Sequence, residues 1–124
     1  MTTAYWCVLV AALLPFLFTG IAKFSGPGFN NRRPRDFQAQ LTGMRARAHW
    51  AHLNSLEAFP PFAAAVIIAH QLAAPQGSID ALAIGFIVAR LAYGALYIAD
   101  LQLLRSIVWT IGLGCVVALF VIAA

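Results

Sequence analysis

Four long apolar stretches, separated only by short polar or glycine- and proline-rich breaks, restrict this chain more than any other feature. A helix needs about 20 mostly apolar residues to cross a hydrocarbon core of about 30 Å. The first stretch runs from about Ala4 to Phe24, with Tyr5 and Trp6 placed to anchor one interface. Ser25-Gly26-Pro27-Gly28 then ends it, and a basic loop is expected as far as about Thr42. The second stretch begins between Thr42 and Ala48, taken as 45, and runs to about Ala74, longer than the core requires, so its first turns are expected to protrude. Pro75-Gln76-Gly77-Ser78 reads as a tight turn. The third helix is expected from about Ile79 to Ala99 and the fourth from about Leu104 to 123, separated by Asp100-Leu101-Gln102-Leu103. Backbone polar groups in lipid must be satisfied within their own segment, which makes these helices. The fold class is therefore all-α, an integral membrane four-helix bundle forming one domain over residues 1–124.

Composition supports lipid as the solvent. Only 10% of residues are charged and 62% are hydrophobic, whereas a soluble domain carries about 25% charged residues. The first stretch lacks a basic leader, so it reads as a retained helix rather than a cleaved signal peptide. The net charge of +4 does not point to nucleic acid, because the cations follow topology. Lys23, Arg32, Arg33, Arg35, Arg45, Arg47 and Arg105 fall on or beside the first and third loops, and the second loop has none. Both termini are expected on the non-cytoplasmic side, here of a bacterial inner membrane. Cys7 and Cys115 sit in apolar runs with no metal spacing. The HxxH pair of His49 and His52 reads as interfacial or subunit contact, and no metal is expected.

The informative residues are polar ones where hydrocarbon excludes them. Arg47, Asn54 and Glu57 share one face of the second helix at a 3.6 period, and Arg90, Tyr93 and Tyr97 share one face of the third. Arg90 lies near the middle of its span, where an unpartnered arginine costs about 2.5–3.5 kcal/mol on insertion scales. Glu57, the acid within an apolar run, is the expected partner by elimination, although counting from the shared turn leaves the two about 10 Å apart in depth. Pro60-Pro61 frees the carbonyls of Leu56 and Glu57, opening the helix beside its own acid. Arg105 and Ser106 open the fourth helix, where an arginine adds to the positive potential of a helix start. Lys23, Arg47, Arg90 and Arg105 come from all four helices, so the expectation is an electropositive cavity open to the cytoplasm, suited to a small polyanion.

At these residues the sequence resembles a known family. AHLNSLEAFPPF in the second helix and ARLAYGALYIADLQLLRSIVW across the third and fourth resemble the MAPEG family, membrane-associated proteins in eicosanoid and glutathione metabolism. The likeness runs from the first helix to the last. It implies a four-helix protomer, a homotrimer, and glutathione sites between protomers, with glutathione as co-substrate. It also implies that Asn54, Glu57, Arg90, Tyr93, Tyr97, Arg105 and Ser106 bind glutathione or support its site. Lys23 stands where relatives carry a basic residue ending the first helix, and Arg105 where relatives stabilise the thiolate. The chain departs from better-studied members at Trp50 and Leu53, where those have basic residues; Arg45, Arg47 or the Arg32–Arg35 cluster would have to compensate.

The first functional expectation is a glutathione-dependent transferase or peroxidase acting on a lipophilic small molecule from the bilayer. Lys23, Arg47 and Arg90 would hold the carboxylates, Asn54, Glu57 and Tyr93 the rest of the tripeptide, and Arg105 the thiolate, with Tyr97 or Ser106 donating a hydrogen bond. Two alternatives stand beside it. One is a small proton-coupled transporter built on Glu57, against which the intramembrane arginines argue by repelling cations. The other is a non-catalytic scaffold that keeps the family's ion pair for folding alone, to which Trp50 and Leu53 lend weight.

Overall fold

The apolar stretches do become helices, and the two short turns between them are closed by the same backbone device. A computed structural model describes residues 1–124 and is entirely helical. The order is α1 (Thr3–Phe24), α2 (Pro34–Ala39), α3 (Gly43–Gln71), α4 (Gln76–Ile98) and α5 (Gln102–Ala123). After α3, Ala73 takes φ 55° while the N–H of Ala74 donates to the carbonyl of Ala69; after α4, Asp100 takes φ 62° while the N–H of Leu101 donates to Leu96. A left-handed residue of this kind turns the chain and satisfies the last carbonyls of the helix.

Three expectations need correction. The basic loop contains a helix: Pro34 starts α2 with its φ preset, and Gln38 is buried, its Nε2 donating to Thr19 Oγ1 of α1 at 2.6 Å. The second long helix ends at Gln71 rather than Ala74, and the third starts at Gln76 rather than Ile79, because the turn takes residues earlier than its Pro-Gly signal suggested. Finally, α1, α4 and α5 are long and apolar enough to cross a membrane, whereas α3 falls outside that class. Its first half carries Arg45, Arg47, His49, His52, Asn54 and Glu57. Pro60 and Pro61 do not interrupt it.

The core lies where α1, α3 and α4 meet and α5 closes one side. Phe62 and Phe86 stack with centroids 3.9 Å apart, among Ala65, Val66, Ile79, Ala83 and Leu119, all buried. Small residues let the backbones approach, as between membrane helices generally. Of the glycines, Gly94 of α4 is the most tightly covered, since an added Cβ there would overlap the ring of Phe18 on α1.

α1 and α3 run antiparallel along their full length, pinned at both ends. At one end Thr2 Oγ1 lies 2.9 Å from His70 Nε2, and Tyr5 stacks on the His70 ring at 4.0 Å. Asp80 of α4 accepts from the N–H of Ala4 at 2.9 Å, a carboxylate at the positive start of α1. In the middle His52 Nδ1 donates to the carbonyl of Pro15 at 2.8 Å. At the far end Arg45 donates to the carbonyls of Ala22, Lys23, Gly26 and Pro27. Those donors close the last turn of α1 and the loop after it.

Candidate functional site

The site forms where the second half of α4 faces α3 on one side and the start of α5 on the other. Arg90 is only 3% exposed. Its Nη2 donates to Asn54 Oδ1 at 2.7 Å and reaches Ser55 Oγ at 3.5 Å. Asn54 in turn donates from Nδ2 to Glu57 Oε2 at 3.3 Å. The expected direct pairing of Glu57 with Arg90 is therefore replaced by a relay through Asn54. The reason is rotation, not depth. With the helix ends where they are, Glu57 lies fourteen residues before the end of α3 and Arg90 fourteen after the start of α4, so the two are level. Glu57, however, lies on the exposed side of α3, with Leu53 and Leu56, while Ser55 lies on the buried side. Asn54, between these faces, is the group that meets the guanidinium.

From Arg90 a ladder of cations and rings leads toward the basic end of the bundle. The Arg90 guanidinium lies 4.3 Å from the centroid of Tyr93, the Tyr93 and Tyr97 rings meet edge to face at 5.6 Å, and Arg105 lies 4.3 Å from Tyr97. Tyr93 and Tyr97 stand four apart on one face of α4. A cation over an aromatic face is held there with a gain of about 0.5–2 kcal/mol. The N–H of Arg105 already bonds to the carbonyl of Leu101, so this arginine sits one turn inside α5 rather than at its opening. No side chain caps the start of that helix.

Two cavities flank the ladder. One, of about 180 Å³, has Asn54, Glu57 and Arg90 on its polar side and Ala58, Pro61, Phe86, Leu113 and Val116 on its apolar side. The other, of about 230 Å³, is lined by Tyr93, Tyr97, Arg105, Ser106 and Trp109. The structure thus brings together Asn54, Glu57, Arg90, Tyr93, Tyr97, Arg105 and Ser106 from three helices. Lys23 and Arg47 line neither cavity. Lys23 lies over the Phe29 ring at 5.1 Å, and Arg47 Nε donates to the carbonyl of Ile98 at 3.1 Å, on the last turn of α4. Arg45 likewise has its donors engaged by carbonyls of α1 and its loop. Of the four cations expected to form one cavity, only Arg90 and Arg105 line the cavities; Arg47 satisfies the C-terminus of α4, and Lys23 lies over a ring. No cluster of His, Cys, Asp and Glu could hold a metal.

A family model for the MAPEG family matches residues 3–124. The chain belongs to the MAPEG family. Comparison with curated proteins gave no match, and neither did comparison with solved structures. Membership makes this a membrane protein of the eicosanoid and glutathione metabolism family. In this MAPEG chain Arg90, Tyr93, Tyr97 and Arg105 form the ladder, Asn54, Glu57 and Ser106 line the cavities beside it, and Arg45 and Arg47 hold helix ends.

Two residues at the site were missed in the sequence. Ser55, buried, donates to the carbonyl of Ala51 at 2.8 Å and supports Arg90 from below. Trp109 lines both cavities. A signal for Trp109 existed, since it lies four residues after Arg105 and so on the same face of α5.

Proposed function

We propose that this MAPEG protein is a glutathione-dependent transferase or peroxidase that acts on a lipophilic electrophile dissolved in the bilayer. The observation that carries the reading is the Arg90–Tyr93–Tyr97–Arg105 ladder, which sets two guanidinium groups along one pair of adjoining cavities. Glutathione carries two carboxylates, an amine and a thiol, and the donor set suits it. Arg90 and Asn54 supply donors for carboxylate and peptide groups, and Glu57 supplies an acceptor for the amine. Arg105 favours the thiolate, since a nearby cation stabilises the charged form of a thiol. In transfer, the thiol loses its proton to water, and the sulfur attacks an electrophilic carbon to form a C–S bond. The displaced group, or the oxygen of an opened ring, takes up a proton. Tyr97 or Ser106 donates a hydrogen bond to the thiolate or to that oxygen.

The reading includes a homotrimer in a bacterial inner membrane, with α3 as a fourth crossing and both termini outside the cytoplasm. α3 runs alongside α1 from Thr2 to Lys23, which supports its crossing. The exposed Glu57 supports assembly, because a carboxylate facing lipid at membrane depth is costly and a neighbouring copy would cover it. Isothermal titration of glutathione into detergent-purified protein tests the reading. Saturable binding is expected, and its absence would leave the transporter or scaffold alternatives.

A further inference from the structure

Trp109 is the single side chain shared by the two cavities. It follows Arg105 by one turn on α5, and Gly112 and Val116 continue the same face into the first cavity. The groups suited to carboxylate, amide and amine, Arg90, Asn54 and Glu57, line the first cavity. The group suited to a thiolate, Arg105, lines the second with Tyr97 and Ser106. A molecule that engages both sets must reach from one cavity to the other, past the indole they share. A short thiol can occupy the Arg105 cavity alone.

We propose that Trp109 is a specificity-determining residue that makes the site select a thiol long enough to bridge both cavities and reject short ones. The inference rests on the glutathione reading above and adds the element of length. The flat apolar face of the indole packs against the middle of an extended peptide, where its large area contributes most to affinity. It also keeps the cavities separate, so a small thiol in the Arg105 cavity gains no contact with Arg90 or Asn54. Removing the indole costs the bridging ligand its central contact and opens the partition to the short one.

The test compares the affinities of glutathione and of cysteine for wild type, Trp109→Phe, Trp109→Leu and Trp109→Ala in detergent, with size exclusion and thermal unfolding run on each. Wild type is expected to favour glutathione. The ratio of affinities is expected to fall about tenfold or more in Trp109→Ala, the scale on which apolar pocket contacts discriminate. Trp109→Phe should recover most of it, because an aromatic face remains. A purely structural tryptophan would change stability without changing the ratio. If Trp109→Ala does not fold, Trp109→Leu against Trp109→Phe carries the comparison. A wild-type protein that binds glutathione, with a ratio unchanged across the folded variants, overturns the role of Trp109 and leaves the glutathione reading standing. A wild type that binds no glutathione overturns both.

Discussion

Replacing Asn54 tests the claim that this residue, and not Glu57, is the partner of Arg90. The Arg90 guanidinium is nearly fully buried, and its 2.7 Å bond to Asn54 Oδ1 is the shorter of its two to side chains. A hydrogen bond to a charged group contributes about 1.5–3 kcal/mol. Asn54→Leu should therefore destabilise the fold by about that amount, since it strands a buried donor. Arg90→Leu removes the same bond from the other side. In a double-mutant cycle the coupling between the two should be about 1.5–3 kcal/mol, which is roughly a tenfold to hundredfold change in the folded ratio. The parallel cycle of Glu57→Gln with Arg90→Leu should give less than about 1 kcal/mol, because Glu57 reaches the arginine only through Asn54. Equilibrium unfolding in mixed detergent micelles, followed by helical circular dichroism, measures all the variants. A Glu57–Arg90 coupling equal to or larger than the Asn54–Arg90 coupling would refute the relay.

Arg105→Ala should leave the fold intact and raise the thiol pKa of bound glutathione toward the free value of about 8.5; thiolate absorbance in the ultraviolet against pH reads it, and a wild-type pKa that is already unshifted would remove Arg105 from the chemistry. Gly94→Ala should destabilise the bundle by about 1–3 kcal/mol, because its Cβ overlaps the Phe18 ring. Phe18→Leu should then recover part of the loss in the same unfolding assay, and additive losses would show that the two do not collide. A compartment-sensitive reporter fused after Ala124 should report a non-cytoplasmic C-terminus; a strong cytoplasmic signal would reverse the orientation.

The sequence alone determined the class of fold, helical and in the membrane, and the family to which the chain belongs. Long apolar runs leave a chain little choice but helices in lipid, since every backbone group must be satisfied locally, and that constraint needs no knowledge of neighbours. Family membership was legible for a similar reason, because the motif residues are contiguous on two stretches of chain. Partnership was not. Elimination by charge nominated Glu57 for Arg90, but charge ignores how a helix is rotated against its neighbour, and that rotation turned Asn54 inward and Glu57 outward. The arginines show the same divide. Lys23, Arg45, Arg47, Arg90 and Arg105 are alike as cations in a sequence. Tertiary structure set Arg45 and Arg47 on the open carbonyls of α1 and α4 and left Arg90 and Arg105 facing cavities. Buried donors and acceptors must be paired wherever they fall, and which cation meets which carbonyl depends on the packing of helices remote in sequence. That Trp109 lines both cavities was decided in the same way, by how α5 lies against α3 and α4.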